Sequence, residues 1–208
     1  KVFGERIYSI KKFNFDYFSL DGSSQLIAKT GYSRIGGFEI YLSRPELGSS
    51  LWETILEAGR SENIRPGSPN IIDRVEAGLL SFGNEMTVEN TPLECNMDKF
   101  LDINKEADYI GKKVLQRQIR YGIKRRIRGI IYNGPKLPTI SRPLQVFDID
   151  KRTIVGNLTS GAFSPHFKRN IGIGMIKYGY WDNNKKILVN IADQEFREGL
   201  IKDLPLVQ

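Results

Sequence analysis

The run "GGFEIYL", residues 36 to 42, holds one carboxylate in a stretch that otherwise alternates as a strand does. Alternation puts Phe38, Ile40 and Leu42 on one face and Glu39 with Tyr41 on the other. A carboxylate fixed on a strand can accept two parallel hydrogen bonds from a planar amidine-like edge, such as a guanidinium or the aminopyrimidine of a pterin. Tyr41, or the nearby Tyr32, offers ring area on which such a plane can stack. The competing reading of the same face is plain solvation, the ordinary fate of the outer side of a half-buried strand.

Few other side chains point to chemistry. One histidine, His166, and one cysteine, Cys95, lie far apart in the chain, so no zinc-type ligand set, Cys-His pair or Ser-His-Asp arrangement is expected. A catalytic residue is therefore not assigned, no metal is expected, and His166 is read as a surface or loop residue. A lone cysteine cannot form an internal disulfide, which favours a reducing, cytoplasmic home. The net charge of +7 is uneven. From Tyr109 to Phe147 there is no acid, while Lys112, Lys113, Arg117, Arg120, Lys124, Arg125, Arg126 and Arg128 accumulate, which would attract an anion.

Those residues need a scaffold, and 208 residues at 40% hydrophobic suffice for one large or two modest cores. No stretch approaches the roughly 18 apolar residues of a membrane span. The opening "KVFGERIYSIKKF" lacks an initiator Met and an apolar signal core, so the chain reads as a piece of something longer. Residues 13–19, 24–30 and 37–43 read as three strands, with Asp21-Gly22 as a hairpin turn. Ser43-Arg44-Pro45-Glu46 has capping-box spacing ahead of a stripe of Leu47, Leu51, Ile55 and Leu56, and Gly59 supplies the stop. A second helix opens at Pro69-Asn70 and shares Ile71, Ile72, Val75, Leu79 and Leu80 on one face; a basic helix follows over 110–121. Beyond Tyr121 the pattern changes to short strands at 125–132, 144–149, 152–160, 170–177, 186–192 and 195–201, as in a small barrel or sandwich. The expected division is 1–121 and 122–208, and the absence of a Gly/Ser linker predicts that the two parts pack together.

Four segments carry a resemblance. "TGYSRIGGFEIYL" resembles T-G-Y-T-G-E-x-G-F-E-I-Y of the glycine cleavage T-protein family of folate-dependent enzymes. "RVEAGLLSFGNEMTVENTPLE" is similar to that family's R-x-E-A-G-L-x-L-Y-G-x-E followed by T-P-x-E. "IGKKVL" is similar to F-I-G-x-x-A-L, and "GNLTSGAFSPHFKRNIGIGMI" to the barrel signature G-x-V-T-S-G-x-x-S-P. The matches keep family order over most of residues 24 to 177.

The resemblance implies an α+β fold: the C-terminal part of a folate-binding domain, with an antiparallel sheet and packed helices, followed by an all-β barrel. It implies tetrahydrofolate as co-substrate and no metal. Glu39 would be the pterin-binding glutamate and Tyr32 and Tyr41 walls near folate or substrate. Catalytic residues are expected in an N-terminal half of the same protein. "KVFGERIYSIKKFNFDYFSLDG" and "SPNIIDRVEAGLLSFGNE" look most like the family's dimethylsulfoniopropionate demethylase branch, which implies methyl transfer from a sulfonium to tetrahydrofolate. Two departures from the aminomethyltransferase pattern agree: Asn70 stands where a folate-site arginine would be, and Lys99 in place of a common tryptophan. Arg74 and Glu76 match family positions, with structural ion pairing as the alternative to a site role, while Thr159-Ser160-Gly161 and Ser164-Pro165 are read as a tight barrel turn. The basic stretch would attract a folate's glutamate tail or simply form a solvated or domain-packing surface. Remaining alternatives are an aminomethyltransferase working with a lipoyl carrier protein, the folate domain of a dimethylglycine or sarcosine dehydrogenase, a non-catalytic folate binder, and a nucleic-acid module gripping phosphates with the basic cluster. Self-association as a homo-oligomer is left open.

Overall fold

The structure, a computed structural model, describes residues 1–31, 36–67 and 70–207. The chain forms two compact units, Lys1–Asn70 and Ile71–Gln208. The composition change at 121/122 does not coincide with this packing division. Residues just after Asn70 already belong with the barrel unit, because helix α2 (Ile71–Glu76) buries Val75 against barrel side chains.

In the first unit, β1 (Phe15–Leu20), β2 (Ser23–Ala28) and β3 (Glu39–Tyr41) form an antiparallel sheet in that order. Asp21 and Gly22, both at positive φ, make the two-residue turn whose twist suits a hairpin. One face is the core: Phe18 and Ile27 pack with Ile10, Phe38 and Ile40. Helix α1 (Leu47–Ala58) lays Leu47 and Leu51 against Leu20, with Ile40 and Leu42 beside them. Its capping box does not form. The Ser43 amide donates instead to the buried Gln25 Oε1 at 2.8 Å, and the helix starts at Leu47 with no side-chain cap. Gly59 ends it, its amide donating to Ile55 O at 2.9 Å.

The second unit is a closed antiparallel barrel in the order β4-β7-β6-β5-β8-β9. Its strands are β4 (Arg125–Tyr132), β5 (Leu144–Phe147), β6 (Ile154–Ser164), β7 (Arg169–Lys177), β8 (Lys186–Ala192) and β9 (Glu195–Lys202). The α+β class and the barrel expected from the sequence are what the structure has. Ile130, Val155, Leu158, Ile176, Ile187, Val189 and Ile201 fill the interior. Helix α2 stops sooner than its apolar stripe suggested: Gly78 at φ +66 donates to Val75 O and Leu79 to Arg74 O, a Schellman ending that turns Leu79 and Leu80 off the helix. Leu204 and Leu206 of the C-terminal tail join Val75, Ile127, Ile171 and Ile173 in a cluster on the barrel wall, and Leu206 donates to Glu76 O at 2.9 Å. Helix α3 (Lys112–Tyr121) matches the basic helix expected, with Leu115 its buried residue.

Tyr132 lies in the barrel core, and its hydroxyl has no hydrogen-bond partner among the described residues. Burial pushes its phenol up to about 12, against a smaller opposing pull from Arg197. As pH rises past the unfolded value near 10, the unfolded chain ionises while the folded one does not. Stability present below pH about 10 is therefore lost between about 10 and about 12. Tyr132→Phe is expected to remove that difference in slope and to raise stability at neutral pH by about 1 kcal/mol, since it removes a buried unpaired hydroxyl. Urea midpoints of the two proteins across this pH range check it.

Candidate functional site

The register of the first unit decides what surrounds Glu39. Phe15 pairs Ala28 and Ala28 pairs Glu39; Tyr17 pairs Leu26 and Leu26 pairs Tyr41. These two rows share the face opposite Phe18, Ile27 and Ile40, on which Ala28 is itself buried. Glu39 is exposed on it and accepts a hydrogen bond from Thr30 Oγ1. Tyr41 is 55% exposed, Tyr17 54% and Phe15 58%, and the Phe15 and Tyr17 rings meet edge to face at 6.0 Å. Three uncovered aromatics around one carboxylate form an unusual outer surface for a small sheet. It offers two acceptor oxygens for a flat nitrogen-rich edge and ring faces for its plane. Phe15 and Tyr17 were not singled out from the sequence, though the period-two spacing of Phe13, Phe15 and Tyr17 is the signal that could have found them. Tyr32 lies outside the described residues.

Arg74 and Glu76 meet the barrel and not each other. Arg74 Nη1 donates to Glu85 Oε2 and to Leu79 O, each at 2.9 Å, and Nη2 donates to Ser160 Oγ at 2.5 Å. Ser164 Oγ donates to Glu76 Oε1 at 2.5 Å and accepts from the Phe167 amide at 3.0 Å. Thr159-Ser160-Gly161 is not a turn but part of β6, with a register shift between Leu158 and Ser160. That bulge re-aims Ser160, which explains how a strand residue reaches the guanidinium. The turn begins only at Ser164-Pro165, and His166 is exposed within it.

The basic stretch is partly neutralised. Arg125 pairs Glu94 at 3.1 Å, Arg126 pairs Asp98 at 3.3 Å and Arg128 pairs Asp203 at 2.6 Å. The Lys112 ammonium donates to the carbonyls of Lys105, Glu106 and Ala107. Cys95 is buried, which raises its thiol pKa, the Glu94 charge adding to the effect. Among the described residues no three His, Cys, Asp or Glu side chains are grouped to hold a metal ion, and no helix is long and apolar enough to cross a membrane.

The model of the GCVT N-terminal domain matches residues 6–105, and that of the glycine cleavage T-protein C-terminal barrel domain matches residues 125–206. The chain belongs to the glycine cleavage T-protein family. It is 40% identical over 181 residues to a dimethylsulfoniopropionate demethylase of Ruegeria pomeroyi, covering 87% of this chain and 48% of that protein. It is 36% identical over 204 residues to an aminomethyltransferase of Caldanaerobacter subterraneus, covering 97% of this chain and 53% of that one. The crystal structure of a glycine cleavage system aminomethyltransferase T from Bartonella henselae superposes with a TM-score of 0.79 at 21% identity, over 96% of this chain and 54% of the other, so the fold is shared. The chain spans about half the length of the curated relatives it matches. In family terms, the R-x-E motif on α2 and the T-S-G-x-x-S motif of β6 are the two sides of one contact, Arg74 to Ser160 and Glu76 to Ser164.

Proposed function

We propose that the chain is part of a tetrahydrofolate-dependent methyltransferase that takes a methyl group from the sulfonium of dimethylsulfoniopropionate. The S–CH₃ bond breaks with its electron pair left on sulfur, the N5–CH₃ bond forms, and the N5 proton passes to solvent. The products are methylthiopropionate and 5-methyltetrahydrofolate. The sulfonium is already a good leaving group, so the enzyme's task is to hold nitrogen, methyl carbon and sulfur in line and to exclude water, which can supply roughly 7–11 kcal/mol. Glu39 binds the aminopyrimidine edge of the pterin, with Tyr41 and Tyr32 as walls, and the reacting groups come from further chain. The division 1–121 and 122–208 is the corresponding modular reading, and the reducing cytoplasm the corresponding compartment.

The observation that carries the proposal is the 40% identity to the demethylase, above the 36% and 33% to two aminomethyltransferases. Asn70 and Lys99, at two positions where the aminomethyltransferase pattern differs, point the same way. The second reading is aminomethyl transfer, supported by the number of relatives with that name. A nucleic-acid module is disfavoured because Arg125, Arg126 and Arg128 already have carboxylate partners. The deciding experiment supplies the protein, at the full length its relatives have, with tetrahydrofolate and each donor in turn. Formation of 5-methyltetrahydrofolate and methylthiopropionate from the sulfonium is expected. Methylenetetrahydrofolate formed only with an aminomethyl-loaded carrier protein would replace this proposal with the second reading.

A further inference from the structure

The outer wall of the barrel carries a concavity that none of the family motifs explains. On β4, β8 and β9 the residues Ile130, Ile187, Val189 and Ile201 point into the barrel. Strand alternation therefore turns Ile131, Leu188 and Leu200 outward, where the solvent side of a barrel ordinarily carries polar groups. Ile131 pairs Leu200 and Leu200 pairs Lys186, so two apolar side chains and a cation form one row across three strands. Leu188 pairs Glu198 in the adjoining row. Phe167, from the turn before β7, and Ile149, from the turn after β5, add to the apolar lining. The groove encloses about 580 Å³, inside the roughly 300–1,000 Å³ range of small-molecule sites.

Its charge is one-sided. Lys151, Arg169, Lys186 and Lys202 line it against the single carboxylate of Glu198. Among the described residues none of these four cations is ion-paired. Three of them are held by neutral groups instead: Arg169 donates to Asn133 Oδ1, Lys202 donates to Asn184 Oδ1 at 2.6 Å, and the Lys151 ammonium sits 5.7 Å from the Phe196 ring centre. Uncompensated positive charge in a concave, low-dielectric wall concentrates anions. A bare inorganic anion would leave the apolar floor wet, and a neutral hydrocarbon would leave the charge unanswered.

We propose that this groove binds a small organic anion carrying more than one negative charge on an apolar body, of which an aryl phosphate is the simplest representative. The apolar body lies on Ile131, Leu188 and Leu200, and the anionic group meets Lys186 and Lys202. A second copy of the chain is a poor occupant, because apposing two such faces brings like charges together. The site is separate from the folate reading of Glu39 and stands or falls without it.

The test uses the 208-residue chain with 1-naphthyl phosphate as probe and inorganic phosphate and naphthalene-1-methanol as comparators, followed in ¹H–¹⁵N spectra. Saturable binding below millimolar concentration is expected, with shifts centred on the amides of Ile131, Leu188 and Leu200. Both comparators should bind weaker by about tenfold or more, and Lys186→Glu with Lys202→Glu should weaken the probe by about tenfold or more while the remaining spectrum stays in place. If the charge reversal unfolds the barrel, the double alanine variant reads the same loss in smaller measure. Failure to saturate, equal binding of inorganic phosphate or of the alcohol, shifts centred elsewhere, or shifts that follow protein concentration through self-association would each overturn the proposal.

Discussion

Replacing Arg74 with methionine is expected to cost about 3–5 kcal/mol of barrel-unit stability, the largest effect of any single substitution considered for this chain. The side chain of Arg74 is 9% exposed and that of Glu85 fully buried, so the pair sits in a low-dielectric setting. The guanidinium spans both Glu85 oxygens, at 2.9 and 3.3 Å, and also satisfies Leu79 O and Ser160 Oγ. Methionine keeps the volume but strands the Glu85 carboxylate with the Ser81 amide, at 2.7 Å, as a remaining donor among the described residues. The penalty of an unpaired buried charge far exceeds the net worth of an intact pair, which is why the sign is secure. Hydrogen exchange on β6 and β7 measures the loss locally, without assuming that both units unfold together. Arg74→Met combined with Glu85→Leu removes both charges and should recover most of the stability. If the single variant keeps protection within about 1 kcal/mol of the parent, the contact is not holding α2 on the barrel.

That contact also marks how far the sequence could be read. The barrel strands were legible because their alternation survives in residues such as Ile130 with Tyr132 and Ile187 with Val189. The face of Glu39 was legible for the same reason. The helix ends were less so: a capping box is a local pattern, and Gln25, eighteen residues before Ser43, takes the amide the box needed. Likewise Gly78 admits a left-handed ending that an apolar stripe through Leu80 conceals. Arg74 and Ser160 are 86 residues apart, and nothing in either motif alone says that they touch. Resemblance could mark both as family positions, yet only folding around the bulge in β6 shows that the two side chains meet where α2 lies on the barrel. The packing division at Asn70/Ile71 differs from the composition change at 121/122 because composition changes where strands begin while packing changes where side chains are buried.

Glu39→Gln is expected to lower tetrahydrofolate affinity by about 1.5–3 kcal/mol, or roughly tenfold to more than hundredfold. A carboxylate offers acceptors at both oxygens, whereas glutamine offers one oxygen and a donating amide that opposes one N–H of an aminopyrimidine edge. The substitution preserves size, and Glu39 is exposed, so the fold has little reason to change and the sheet core of Phe18, Ile27 and Ile40 is untouched. Thr30 Oγ1 now donates to the carboxylate, and Thr30→Val should show a smaller loss because it frees the side chain without removing its charge. Tyr41→Ala tests the stacking wall separately, with a loss of about 0.5–1.5 kcal/mol beyond that of buried area. Calorimetry with tetrahydrofolate on the 208-residue chain and on the full-length protein separates weak binding by a part from loss at position 39. Turnover at saturating folate should fall less than affinity, since the contact is made before and during methyl transfer alike. Equal affinity of parent and Glu39→Gln in the full-length protein would remove this carboxylate from the folate site, whichever methyl donor the enzyme uses.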